Sequence, residues 1–128
     1  MRARYADLFR RMVDPDPSLA DAAFDAVLFD RQEAIPDLIE CYQKSKRDAH
    51  TRYLVIQLLG FSGGKDAVPT LVEALSDKDA TVRAEACRSL EDLTAAHALP
   101  LLEARLADVD AEVRAAAAEA IEALRATG

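Results

Sequence analysis

The chain has no tryptophan, and aromatic residues make up 5% of it. No run of about 18 apolar residues occurs, which leaves no segment able to span a bilayer as a helix. Cys-x-x-Cys pairs, phosphate-cradling glycine loops and Gly-x-Ser-x-Gly elbows are all missing. Phe61-Ser62-Gly63-Gly64-Lys65 lacks the spacing and the preceding strand of a phosphate loop, so it reads as a turn. The only histidines are His50 and His97, and the only cysteines Cys41 and Cys87, in different helical segments without metal-ligand spacing. Cys41 and His50 would need a third orienting group to serve as nucleophile and base, and none is suggested. We therefore expect no catalytic residue, no metal and no cofactor, and two buried, reduced thiols. The opening Met1-Arg2-Ala3-Arg4-Tyr5-Ala6-Asp7 lacks the apolar core of a secretion signal, which points to a cytoplasmic protein.

A basic excess is also missing. Sixteen Lys and Arg face 23 Asp and Glu, and the net charge of −7 repels nucleic acid and anionic membranes at long range. Arg2, Arg4, Arg10 and Arg11 cluster near the start, and Lys44, Lys46 and Arg47 share one loop; both groups read as solvated charge.

What the chain does have is self-similarity. Ala67–Leu93 reads AVPTLVEALSDKDATVRAEACRSLEDL, and Ala98–Leu124, 31 residues on, reads ALPLLEARLADVDAEVRAAAAEAIEAL, with nearly half of the positions identical. Ala34-Ile35-Pro36-Asp37-Leu38-Ile39-Glu40 answers Ala67–Glu73, and a fainter copy opens the chain, where Asp14-Pro15-Asp16 matches Asp77-Lys78-Asp79. A period of this size marks stacked repeats. Four helical hairpins follow, near 4–30, 31–62, 64–93 and 95–126, within one domain over 1–128.

The punctuation supports helices. Asp16, Asp48, Asp79 and Asp110 recur at one position and suit N-caps, where a carboxylate accepts the free amides of a first turn. Pro17, Pro36, Pro69 and Pro100 suit first turns, which need no amide donor there. Asp30, Gly63 and Thr94 are equivalent and are expected to cap the first helices of their hairpins. Val82, Ala86, Leu90 and Leu93 form one helical stripe, and Val113, Ala117, Ile121 and Leu124 another. Leu71, Val72 and Leu75 supply the facing stripe. The fold class is all-α, an α-solenoid.

The recurrence of Pro, Asp, Val-Arg and a closing Leu in step resembles HEAT repeats, most closely the short variety of roughly 30 residues first associated with phycobilisome lyases. The likeness is good over residues 31–126 and weak over 4–30. It implies a superhelix whose second helices line the concave side, and a surface rather than a reaction centre. It also implies that the ladder Asp48, Asp79, Asp110 pairs with the ladder Arg52, Arg83, Arg114 within and between units, through charge-assisted contacts. Neither histidine precedes a Glu, so the His-Glu pairs of HEAT-type di-iron hydroxylases are missing.

At 100° per residue, the side of the third second-helix opposite its core stripe carries Ala84, Arg88 and Glu91. The equivalents are Asp21, Asp25 and Leu28, then Tyr53, Gln57 and Gly60 with Leu54 and Phe61 alongside, then Ala115, Glu119 and Glu122. The expected concave wall is apolar or aromatic in the middle (Phe29, Tyr53, Leu54, Phe61) and acidic at its margins. Arg52–Phe61 is apolar nearly all round, which fits either burial mid-stack or an exposed patch. The leading expectation is a non-catalytic adaptor that binds a protein of basic or mixed apolar and basic surface, with no nucleic acid and no membrane. A phycobilin-lyase-like accessory subunit is the alternative, and a HEAT-like nucleic-acid binder a remote one. The lightly charged Ala115–Ala118 stretch leaves end-to-end association or origin in a longer array open.

Overall fold

The structure is a computed structural model that describes residues 1–127. Among these residues eight α-helices follow one another: α1 (Ala3–Arg11), α2 (Pro17–Phe29), α3 (Ile35–Lys44), α4 (Ala49–Phe61), α5 (Val68–Ala74), α6 (Ala80–Asp92), α7 (Leu99–Ala104) and α8 (Ala111–Thr127). Short 3-10 turns precede α5 and α7 and follow α7. Among the described residues there is no strand, and no helix is long and apolar enough to cross a membrane. Consecutive helices pair as α1/α2, α3/α4, α5/α6 and α7/α8.

Local chemistry sets the boundaries. Asp16 accepts from the Ser18 amide at 2.9 Å, Asp48 from Thr51 at 3.1 Å, Asp79 from Thr81 at 2.9 Å and Asp110 from Val113 at 3.0 Å. Each such cap is worth about 1 kcal/mol. The four prolines occupy first turns, as their fixed φ favours. One expectation fails. Gly63 and Thr94 do not cap α5 and α7; they terminate α4 and α6 with φ of 73° and 52°, the left-handed geometry that closes a helix C-terminus. Asp30 follows α2 at φ −100°, and its amide donates back to carbonyls of that helix.

The repeat stripes become the core. Val82 and Val113 are both fully buried, at matching places in α6 and α8, together with Ala86, Leu90, Ala117 and Leu124. Leu71 of α5 and Leu75, just past its end, are buried in the same core. Helices α4, α6 and α8 pack directly on one another, whereas α3, α5 and α7 make no comparable contact among themselves. Elements that crowd on one side and spread on the other curve the stack, with the second helices inside.

The seams between hairpins carry ion pairs, though not with the carboxylates expected. Arg52 grips Asp77 through Nε and Nη2, each at 3.0 Å, while its Nη1 donates to the Ser45 and Lys46 carbonyls. Arg83 grips Asp108 in the same way at 3.0 Å and donates to the Asp77 carbonyl at 2.9 Å. Arg114 donates to the Asp108 carbonyl at 2.8 Å. Asp48, Asp79 and Asp110 are committed to their own helix amides; Asp77 and Asp108, two places before Asp79 and Asp110, reach across the seam. Asp77 and Asp108 also accept the amides of Asp79 and Asp110 at 2.9 Å, which fixes the turn that presents them.

The first seam has no such rung among the described residues. Ala20 stands where Arg52, Arg83 and Arg114 stand, and Lys46 where Asp77 and Asp108 stand. Helix α2 touches α4 far less than α4 touches α6. The first hairpin is held instead at its α1 edge, where Arg2 binds Asp37 and Glu33 and the N-terminal ammonium meets Glu40 at 2.9 Å; Arg4 meets Asp30 at 2.6 Å within the hairpin itself. Arg10 and Arg11 both reach Asp7. The N-terminal arginines are thus paired within the chain.

Candidate binding site on the inner wall

Where the rung is missing, a cleft opens between α2 and α4. It holds about 380 Å³ and is lined by Met12, Pro17, Ala20, Asp21, Phe24, His50, Leu54 and Gln57. Ala20, at the position of the rung arginines, lines its edge. A second hollow of about 270 Å³ continues from His50 past Tyr53 to Asp79 and Thr81 at the start of α6. The two share His50, so one shallow groove crosses the first turns of α2, α4 and α6. Its floor is apolar (Met12, Phe24, Leu54), and Asp21 and Gln57 offer polar atoms at its side.

Beyond the groove lies an acidic strip. Arg88 reaches Glu112 at 3.0 Å and Glu85 at 3.4 Å. Burial pushes the Glu85 carboxyl above its ordinary range, Arg88 opposes this, and the charges of Asp92 and Glu112 add to the rise. Glu91 is raised by burial and by Asp92 and Glu119, and Asp92 by burial. The phenol of Tyr53 is raised as well, by burial and then by Glu85. Arg88 is the cation that partly offsets these neighbouring carboxylates.

The positions expected for the wall are partly displaced. Phe29 and Phe61 are exposed, at 88% and 43%; Tyr53, Leu54, Gln57, Arg88 and Glu91 are half-buried; Glu119 and Glu122 are exposed. Ala84 and Gly60, however, are buried and belong to no open surface. The open arc of α6 runs through Thr81, Arg88 and Asp92, about 40° round from the arc opposite the core stripe. The reason is the neighbour: α8 covers the Ala84 and Cys87 side of α6. Position-for-position, Phe29, Phe61 and Asp92 then align, as do Gln57, Arg88 and Glu119. The sequence alone does not single out Asp92, Glu85 or Phe24. The apolar helix Arg52–Phe61 is chiefly an internal layer, with Val55, Ile56, Leu58 and Leu59 sealed off and its inner edge half open.

Neither cysteine is set up as a nucleophile. Cys41 lies in α3 and Cys87 in α6, both buried; burial raises the Cys41 thiol and pushes that of Cys87 up to about 11. Such thiols stay protonated near neutrality.

Comparison with known proteins agrees with this architecture. A chain in the solved complex of CpcE and CpcF of phycocyanin lyase from Nostoc sp. PCC7120 is similar, with a TM-score of 0.56 at 20% sequence identity. The alignment covers 97% of this chain and 66% of that one, so the chain spans just under two thirds of that neighbour's length, and the likeness is one of fold. No curated protein matches it in sequence. The profile for HEAT repeats matches residues 35–122, from α3 into α8. By that match, which takes in more than half of its length, the chain belongs to the HEAT repeat family.

Proposed function

We propose that the protein is a non-catalytic scaffold whose four hairpins act as one domain and hold an extended segment of another protein along the inner wall. The observation that carries this reading is an apolar cleft placed beside an acidic strip. An apolar side chain of the partner enters between Phe24 and Leu54, and a basic side chain lies against Glu85, Asp92 and Glu112. Burial of the first supplies about 1.5–3 kcal/mol. The second selects the partner and speeds encounter. Tyr53, between cleft and strip, offers a rigid anchor. A panel of fluorescein-labelled 12-residue peptides tests the reading by anisotropy. Peptides alternating Leu with Arg should bind, Leu with Glu should not, and Leu54→Asp should abolish the binding. Equal affinity for both peptide classes, or no effect of Leu54→Asp, would reject the site.

A lyase-like accessory role is a second reading, favoured by the fold shared with a chain of the phycocyanin lyase complex. In that case mixing the protein with free phycocyanobilin shifts the pigment's absorption band. An unchanged spectrum at tenfold molar excess of protein would remove it.

A further inference from the structure

The seam chemistry is left half-finished at both ends of the stack. Each internal rung has three parts: an arginine that donates Nη1 to a carbonyl of its own turn, a fork formed by Nε and Nη2, and an Asp in the next hairpin whose turn is closed by an amide bond. Arg114 has the first part, its Nη1 on the Asp108 carbonyl at 2.8 Å, but no carboxylate among the described residues meets its fork. Asp14 has the last part: it accepts the Asp16 amide at 2.8 Å, as Asp77 accepts that of Asp79, yet no arginine among the described residues meets it.

Apolar surface is uncovered at the same two ends. Leu106 is 45% exposed, whereas its counterpart one hairpin earlier, Leu75, is 3% exposed. Leu101 is open where Thr70 is buried, and Ala115 and Ala118 are open where Ala84 and Cys87 are buried. At the first hairpin, Leu19 is 54% exposed where Val82 and Val113 are sealed. Small residues on the last helix face outward, and Leu19 faces outward on α2.

We propose that the outer face of the α7/α8 hairpin docks the first hairpin of a second copy of this chain, with Arg114 of one copy forming the missing rung to Asp14 of the next. The occupant is a second copy because this chain carries both halves of one rung, arginine at one end and carboxylate turn at the other. The contact is heterologous, so it propagates and yields open-ended assemblies rather than a closed pair.

Sedimentation equilibrium over a dilution series tests this with the full chain, Arg114→Glu, Asp14→Arg and an equimolar mixture of the two variants. The wild type should show an average mass that rises with concentration past that of two copies. Each single variant should associate about tenfold more weakly or less, since like charges then meet across the contact. The mixture should regain association, because the carboxylate introduced in one variant then faces the guanidinium introduced in the other. Arg114 is exposed and Asp14 half-buried in a turn, and matching circular dichroism spectra establish that the variants fold; Leu106→Asp, which leaves both charges in place, should weaken association as well. A wild type that stays monomeric throughout overturns the proposal. So does a mass that stops at two copies, or sensitivity to Arg114→Glu without sensitivity to Asp14→Arg, either of which would point to a different occupant.

Discussion

Gly60 and Ser89 meet where α4 crosses α6, so closely that a Cβ on Gly60 would lie 2.5 Å from the Ser89 hydroxyl oxygen and 3.0 Å from the Ser89 Cα. That hydroxyl donates to the Ile56 carbonyl at 3.1 Å, which ties the two helices at their closest approach. The missing side chain therefore serves the seam, even though glycine weakens an isolated helix.

Gly60→Ala separates these two effects. Helix propensity alone would raise stability by about 1 kcal/mol. Overpacking against a backbone atom that cannot rotate away lowers it by about 1–3 kcal/mol. We predict a net loss, read as a lower urea midpoint with unchanged slope.

The Arg52–Asp77 rung is closed to solvent, with side chains 4% and 5% exposed, and the Tyr42 hydroxyl donates to the same carboxylate at 2.7 Å. Asp77→Ala strands a buried guanidinium and should lower stability by about 3–5 kcal/mol. Arg52→Met with Asp77→Leu removes both charges and should lose much less. Urea denaturation of the wild type, Arg52→Met, Asp77→Leu and their double variant gives the coupling.

Acid sensitivity follows from the rungs. Burial works to raise the Asp77 carboxyl, but Arg52, the Asp79 amide and Tyr42 outweigh it and hold it below its ordinary value. Asp108 is lowered chiefly by Arg83, against burial. A carboxylate with a depressed folded pKa contributes stability that is complete above its unfolded value, about 4, and fades as pH falls through the folded one. Asp77→Asn and Asp108→Asn should therefore flatten the acid limb of a stability-against-pH curve measured from pH 5 to 2.

Glu85 behaves in the opposite sense. Its raised folded pKa means that the ionised form is disfavoured in the native state, so it destabilises above that value and the penalty disappears as pH falls below its unfolded one. Glu85→Gln should raise the urea midpoint at pH 7 and change it little at pH 4.

Thr94 holds the left-handed position that Gly63 holds one hairpin earlier. A β-branched residue there carries strain of about 1–2 kcal/mol, part of which the greater freedom of unfolded glycine offsets. Thr94→Gly should stabilise by about 1 kcal/mol, seen as a rise in Tm.

Helix positions, caps and core stripes can be read from the sequence because they depend on neighbours within one hairpin. Asp79 can reach the amides of Thr81 and Val82 whatever the rest of the chain does, and Val82, Ala86 and Leu90 share a face by helical geometry alone. Contacts between hairpins are less legible. Asp77 and Asp79 both recur with the period, and only the path of the turn decides that Asp77 crosses the seam. Ala84 lies opposite the core stripe, yet α8 buries it, a consequence of how far the stack curves. The cleft is hidden for a similar reason: Ala20 and Lys46 are unremarkable until one sees that they replace both halves of a rung.

The inner-wall groove is tested most directly by titrating ¹⁵N-labelled protein with a Leu/Arg peptide and recording amide shifts. The account predicts saturable changes that trace Ala20, Phe24, Leu54 and Gln57 across to Glu85, Arg88 and Asp92. Shifts confined to α3, α5 and α7 on the outer side, or none at millimolar peptide, would contradict it.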